Sequence, residues 1–274
     1  MIAFSNGKIN LGLHVINKRD DGFHNLETVF YPIPLSDSLE LIVSSNDMNK
    51  EIGFHSYGLQ INGSIDDNLI VKAYHLLAND FCLKKVDFYL LKNIPMGAGL
   101  GGGSSNAAFA LKMLNEYFSL NLTNAQLEKY AAILGSDCAF FIENKPSFAK
   151  GRGEVLESIA IDLKGYYLVL VKPNIHVSTA QAFANVFKRG ESEVSLKELI
   201  KQPVENWKGL IENDFEKTVF IHHPAIALIK EQLYVKGAVY ASMSGSGASV
   251  FGLFKSEINL KQQFENNFYF SCQL

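Results

Sequence analysis

The chain has 274 residues, and its 25 basic against 28 acidic side chains give a net charge of -3. No electrostatic footprint for nucleic acid or for an anionic membrane surface stands out, so any bound polyanion has to be recognised locally. A hydrophobic fraction of 47% is ample for a sizeable core, with two domains the expectation at this length. Cys82, Cys138 and Cys272 are odd in number, widely spaced and without a C-x-x-C pair, which argues against a disulfide framework or structural zinc and fits a reducing cytoplasm.

In chain order, Met1 to Ser5 carry no basic region followed by an apolar core, so no export signal is read. From Lys8 to Val15 the residues alternate, with Ile9, Leu11, Leu13 and Val15 on one side and Lys8, Asn10, Gly12 and His14 on the other. The pattern predicts a half-buried strand whose polar side lines a cleft. Further strands are expected over Thr28–Ile33, Ser38–Ser45 and Val86–Lys92. Asp66-Asp67-Asn68 offers side-chain oxygens to open a helix with Leu69, Ala73 and Leu76 at helical spacing. Thr123 and Gln126 read as a capping box for a helix over 124–134 that stops at Gly135.

After Glu154 the pattern changes, and a domain boundary is expected there: residues 1–154, then 155–274. The second part reads as strand Tyr166–Val171, a helix from about Thr179, a polar stretch Arg189–Glu193 and a helix after His223-Pro224. It ends on a strand near Ala238–Tyr240, a glycine-serine loop over Ser242–Ser249 and strand Val250–Phe254. The longest apolar run, near Tyr166–Val171, is far too short to cross a bilayer. Strands and helices of this kind make an α+β protein.

The strongest local signal is Pro95-Met96-Gly97-Ala98-Gly99-Leu100-Gly101-Gly102-Gly103-Ser104-Ser105-Asn106, between a strand and a helix that is apolar at Ala108, Leu111 and Leu114. Glycines let backbone amides approach a ligand, and a helix N-terminus offers unpaired amides and the positive end of its dipole. One or two glycines would read as a tight connector; this many, followed by two serines, points to phosphate. A Walker loop is excluded because no Gly-Lys-Ser/Thr follows. Gly97, Gly99 and Gly102 satisfy G-x-G-x-x-G, but a second helix follows where a dinucleotide fold needs a strand. No H-R-D or D-F-G supports a protein kinase.

These residues resemble the GHMP kinases, whose phosphate loop reads roughly P-x-x-x-G-L-G-S-S-A. The stretch Gly99 to Ser105 is that motif with two extra glycines. Lys8-Ile9-Asn10-Leu11, Arg19 to His24, Gly135-Ser136-Asp137 and Ser244-Gly245-Ser246-Gly247-Ala248 are similar to further family segments in the right order. The form G-L-G-G-G-S-S-N-A-A is similar to a branch that phosphorylates a cytidine-diphosphate sugar alcohol on the non-mevalonate isoprenoid route. Phe23 departs from a family tyrosine and Ser136 from an alanine, and the segment 190–213 matches nothing.

The resemblance implies an N-terminal ribosomal-protein-S5-like domain for ATP and catalysis and a C-terminal ferredoxin-like sandwich contributing to substrate binding. It implies Asp137 as general base or orienting acceptor and Lys8 as the cation serving it. Read without it, Asp137 is as readily a cap for residues 138–142, and Lys8 a solvated lysine. The loop Pro95, Met96, Gly97, Ala98, Gly99, Leu100, Gly101, Gly102, Gly103, Ser104 and Ser105 is implied for ATP, with Asn68 and Leu69 on the adenine side. Ser105 is the hydroxyl expected nearest Mg2+, since magnesium borrows phosphate oxygens and water.

On the substrate side the resemblance implies Phe23 and Phe183 sandwiching cytosine with His24 at its edge, and the loop Ser244, Gly245, Ser246 and Gly247 closing the site; Asn10, on the face of Lys8, and Thr179, one helical turn before Phe183, are further substrate contacts expected from their spacing. Most phenylalanines are simply core, and a glycine-serine hairpin is an ordinary turn. Rival readings are a homoserine or mevalonate kinase, a silent nucleotide-binding member of the fold, and a dinucleotide-dependent oxidoreductase. The expected protein is a soluble cytoplasmic monomer or weak homodimer with a small-molecule substrate.

Overall fold

The structure, a computed structural model, describes residues 1–43, 52–184, 186 and 194–274. In chain order it opens with strands β1 (Ile2–Lys18), β2 (His24–Val43) and β3 (Ile52–Gly58). Helix α1 (Leu69–Asp80), strand β4 (Val86–Lys92) and helices α2 (Gly102–Tyr117), α3 (Asn124–Leu134) and α4 (Phe140–Glu143) follow. Strands β5 (Ser147–Gly151), β6 (Val155–Ser158) and β7 (Tyr167–Lys172) come next, then helices α5 (Thr179–Ala184), α6 (Leu196–Leu199), α7 (Phe215–His222) and α8 (Pro224–Val235). Strands β8 (Tyr240–Met243), β9 (Val250–Phe254) and β10 (Phe268–Gln273) close the chain.

Two compact units form, and each is assembled from separated stretches. The first is Met1–Gly7, Leu35–Met96 and Gly101–Lys145; the second is Lys8–Pro34, Gly97–Leu100 and Pro146–Leu274. In the first, β4 lies between the second half of β2, antiparallel, and β3, parallel. Helices α1 to α4 pack on one another, with Ile70, Tyr74, Leu77, Ala107, Leu111 and Phe141 buried. In the second, the first half of β2 pairs antiparallel with β5, and β5 with β6. An all-antiparallel sheet runs β10-β7-β9-β8, covered by a core that includes Val169, Val171, Phe215, Ile226, Leu233 and Val250.

Several local expectations change. The alternating stretch Lys8–Val15 is buried on both sides, since Lys8, Asn10 and His14 are each 2% exposed, so it is not a half-buried strand. Period-two patterning assigns a side chain to a face but cannot say how deep that face lies. The two strands expected over Thr28–Ile33 and Ser38–Ser45 are one strand of 20 residues, with 44 and 45 outside the described residues. In α1 the buried stripe is Ile70, Ala73, Tyr74 and Leu77 rather than Leu69 and Leu76, because packing against α2 and α3 decides which face is covered. The strand expected at Ala238 runs over Tyr240–Met243 instead, taking the start of the glycine-serine loop into the sheet. The capping box at Thr123 and Gln126 is present as read, with both reciprocal hydrogen bonds.

Candidate active site

In the first unit, β4 delivers the chain to the N-terminus of α2. Gly101 caps that helix at φ 68°, a left-handed conformation suited to glycine, and no side chain caps the first amides. Gly102, Ser105 and Asn106 in this turn are buried. A Cβ on Gly102 would stand 2.9 Å from both Ile94 Cγ2 and Lys92 Nζ, so glycine is what lets the Lys92 ammonium approach the helix start.

Lys92 is fully buried and ion-paired with Asp37. Asp37 also accepts from the amides of Asn93 and Ile94, each at 2.7 Å, and from Asn106 Nδ2 at 2.9 Å. Asn106 further donates to Ser5 Oγ at 2.7 Å. Burial pulls the Lys92 pKa below its ordinary value, with Asp37 opposing the shift. A cavity of about 130 Å³ is lined by Asn68, Leu69, Lys92, Met96, Gly103 and Asn106 among others. It gathers four residues expected at the nucleotide; Lys92, Asp37 and Asn106 had been given no role. Asn106 stands inside the quoted loop motif, and that is the signal by which the network was within reach.

Ser105 is wholly buried, and its hydroxyl has no hydrogen-bond partner among the described residues. Asp137 lies half-buried in the turn between α3 and α4. It does not cap α4, whose cap position is Ala139 and carries no side-chain hydrogen bond. Burial pushes the Cys138 thiol up to about 12, against a hydrogen bond from Ser104 and with the Asp137 charge adding to the rise. That thiol is therefore no nucleophile near neutral pH.

In the second unit, Lys8 Nζ donates to Asn10 Oδ1 at 2.7 Å and to the Gly99 carbonyl at 3.0 Å, and sits 5.0 Å from the Phe30 ring centroid. Asn10 Nδ2 donates to Thr28 Oγ1 at 2.8 Å, and Thr28 Oγ1 donates to the Gly12 carbonyl at 2.6 Å. Gly99 has φ 74°, and a Cβ there would lie 1.9 Å from the Ser244 carbonyl oxygen. Ser244 Oγ donates to the Gly99 carbonyl at 2.8 Å and accepts from the Asn10 amide at 3.2 Å. The glycine-serine loop is held from α7's approach: Asn213 Nδ2 donates to the Met243 and Gly245 carbonyls, both at 2.8 Å, and Glu216 accepts from the Met243 amide at 2.7 Å. Asn213 ends the segment that matched nothing in sequence.

Of the residues expected at the cytosine, His24 stacks on Phe183 with centroids 4.9 Å apart and planes 18° apart, and Phe183 meets Phe215 edge-on at 4.7 Å. Thr179 and Ser246 share a hydroxyl contact of 3.1 Å. Phe23 is 53% exposed, with the Arg152 guanidinium 5.1 Å from its ring centroid. Thus His24, rather than Phe23, covers a face of Phe183.

The first unit holds a helix start without a side-chain cap, the Ser105 hydroxyl without a hydrogen-bond partner among the described residues, and the Asp137 carboxylate. The second holds the buried Lys8 ammonium and a stack of aromatic rings. The GHMP kinases N terminal domain matches residues 68–145, and GHMP kinases C terminal matches residues 195–269. A 4-diphosphocytidyl-2-C-methyl-D-erythritol kinase of Bacteroides fragilis is 56% identical over 275 residues, covering 100% of both chains. The enzyme of the same name from Parabacteroides distasonis is 47% identical over 276 residues, again covering 100% of both. Among solved structures, a 4-(cytidine 5'-diphospho)-2C-methyl-D-erythritol kinase superposes with a TM-score of 0.77 at 29% identity, covering 92% of this chain and 90% of that one. Methanococcus jannaschii mevalonate kinase shares the fold with a TM-score of 0.70 at 15% identity, covering 100% and 98%. An α+β chain that matches both domain families in order and has full-length relatives at this identity belongs to the GHMP kinase family.

Proposed function

We propose that this enzyme transfers the γ-phosphoryl group of ATP to the 2-hydroxyl of 4-diphosphocytidyl-2-C-methyl-D-erythritol, a step of the non-mevalonate isoprenoid route. The observation that carries the phosphate part is the start of α2, where no side chain caps the first amides and the buried Ser105 hydroxyl has no hydrogen-bond partner among the described residues. Phosphoryl transfer asks a protein for position and charge neutralisation more than for covalent chemistry. The α2 amides and the residues from Pro95 to Ser105 hold the triphosphate, and Asn68 and Leu69 border the adenine. Asp137 orients the acceptor hydroxyl and takes its proton. Lys8 stabilises the charge that develops on the transferring group. Phe23, His24, Phe183 and Thr179 receive the cytidine end, and Ser244 to Gly247 close over the substrate with backbone amides. Asn10 is spent on Lys8 and Thr28, so its part is to aim the ammonium.

The donor set fits a magnesium ion carried by the nucleotide. Among the described residues no group of three or more His, Cys, Asp or Glu is gathered to hold a metal, whereas the Ser105 oxygen is available. Bound with the triphosphate, the ion would neutralise phosphate charge, with Ser105 as its protein ligand. Residues 1–154 serve ATP and catalysis and 155–274 add substrate contacts, a division by role that cuts across the interleaved compact units. Among the described residues no helix is long and apolar enough to cross a membrane. A cytoplasmic monomer or weak homodimer is part of the proposal.

The test is an ATP-dependent assay on the cytidine-diphosphate methylerythritol beside homoserine and mevalonate. Only the first is expected to be phosphorylated; comparable turnover of either other alcohol removes the substrate assignment.

A further inference from the structure

We propose that Thr28 is a positioning residue for the Lys8 ammonium, acting through Asn10. The argument is a count of protons. An ammonium can only donate, so Asn10 must present its oxygen to Lys8, and its NH2 group then has to find an acceptor elsewhere. Thr28 Oγ1 is that acceptor, at 2.8 Å. A hydroxyl accepts and donates, and the Thr28 proton goes to the Gly12 carbonyl at 2.6 Å, which can only accept. The chain Lys8, Asn10, Thr28, Gly12 therefore has one polarity throughout, and the carbonyl at its far end sets the direction of the amide at its near end.

The surroundings leave little slack. Thr28 is 1% exposed and Asn10 2%, so no bulk water substitutes for either contact. Gly12 stands at φ 76°, and a Cβ there would approach Ile211 to 2.7 Å and Leu196 to 2.9 Å, so its carbonyl direction belongs to a glycine-only backbone. The Gly99 carbonyl, which also accepts from Lys8, is itself held by Ser244 Oγ. If the hydroxyl of Thr28 is removed, the Asn10 NH2 group is buried without a partner. Turning the amide over would only set its NH2 group against the ammonium, so no orientation satisfies both of its ends. The Asn10 side chain loses its fixed direction, and the Lys8 ammonium loses its guide, while the helix proposed for the triphosphate is untouched.

This inference rests on the reading of Lys8 as the cation of the transfer, and the experiment separates the two. Thr28→Val, Thr28→Ser and Lys8→Ala are compared with the parent enzyme for kcat, for KM of ATP and of the cytidine substrate, and for Tm. Serine keeps both the donor and the acceptor, whereas valine keeps only the shape. Thr28→Val is expected to lower kcat by about tenfold or more, since misplacement by an ångström costs that much or more, with the KM of ATP within about twofold. Thr28→Ser is expected to restore most of kcat, a rescue that loss of packing would not produce. A folded Thr28→Val with parental kcat, or a Thr28→Ser as impaired as the valine, overturns the inference; if the valine variant does not fold, Thr28→Ala is read against Thr28→Ser by the same criteria. Parental turnover in Lys8→Ala overturns the reading of Lys8 itself, whereas an impaired Lys8→Ala beside a parental Thr28→Val overturns only the role of Thr28.

Discussion

Asp137 sits in a turn, half-buried, and leaves the cap of the next helix to Ala139. Capping was the ordinary explanation for an acid in that place, and α4 does not use it. Asp137→Asn keeps the shape and removes the base, so kcat should fall by about 10² to 10⁴ while ATP affinity, read by nucleotide titration, stays within a few-fold. Unchanged turnover would exclude Asp137 from the reaction. At this scale the sequence was informative about identity and poor on surroundings. Lys8 could be named from its motif, but its acceptors include the carbonyl of Gly99, 91 positions away, and an amide whose orientation we tie to Thr28. No local pattern encodes which way an asparagine turns.

Among the elements, the decisive junction is Asp37, which ties β2 to the end of β4 and to α2. Its carboxylate serves one ammonium, two backbone amides and one side-chain amide. Removing one member of a buried ion pair leaves an uncompensated charge, so Asp37→Ala should cost about 3 to 5 kcal/mol in urea unfolding. Asp37→Leu combined with Lys92→Met should recover part of that loss, because the pair's own desolvation is then avoided. Recovery stays incomplete, since the amides of Asn93 and Ile94 still lack their acceptor. A full loss in the double variant, equal to Asp37→Ala alone, would show the ion pair to be irrelevant. The helix α2 and its glycines were legible because they are local; the strands β3, β5, β6 and β10 were not. They are short, and β3 carries two glycines, so periodicity over a few residues had little to count.

For the whole molecule, the charge balance near zero places the pH response in particular pairs. Glu157 lies between Lys150 and Lys197, and their hydrogen bonds hold its carboxyl down to about 2. A carboxylate with a depressed pKa contributes stability that is present above the unfolded value and lost as pH falls through the folded one. Thermal stability should therefore decline between pH 4.5 and about 2, and Glu157→Gln should flatten part of that decline. These three charges all reach solvent, so salt should shrink the effect; an identical acid limb in the variant would remove Glu157 from the account.

By itself, the amino-acid order determined the kinase family, and it singled out the glycine-rich loop proposed for phosphate together with Lys8 and Asp137. The loop is legible because glycines at fixed spacing let a backbone come close to a ligand, a requirement written into adjacent residues. What the tertiary structure alone decided is depth and direction: that the polar side of β1 is sealed from water, that Asp37 and Lys92 form a buried knot, and that a threonine aims the amide holding the ammonium. Such features arise between residues 18 to 69 positions apart. They follow from which strands pair and what covers them, and alternation along a strand carries no record of either.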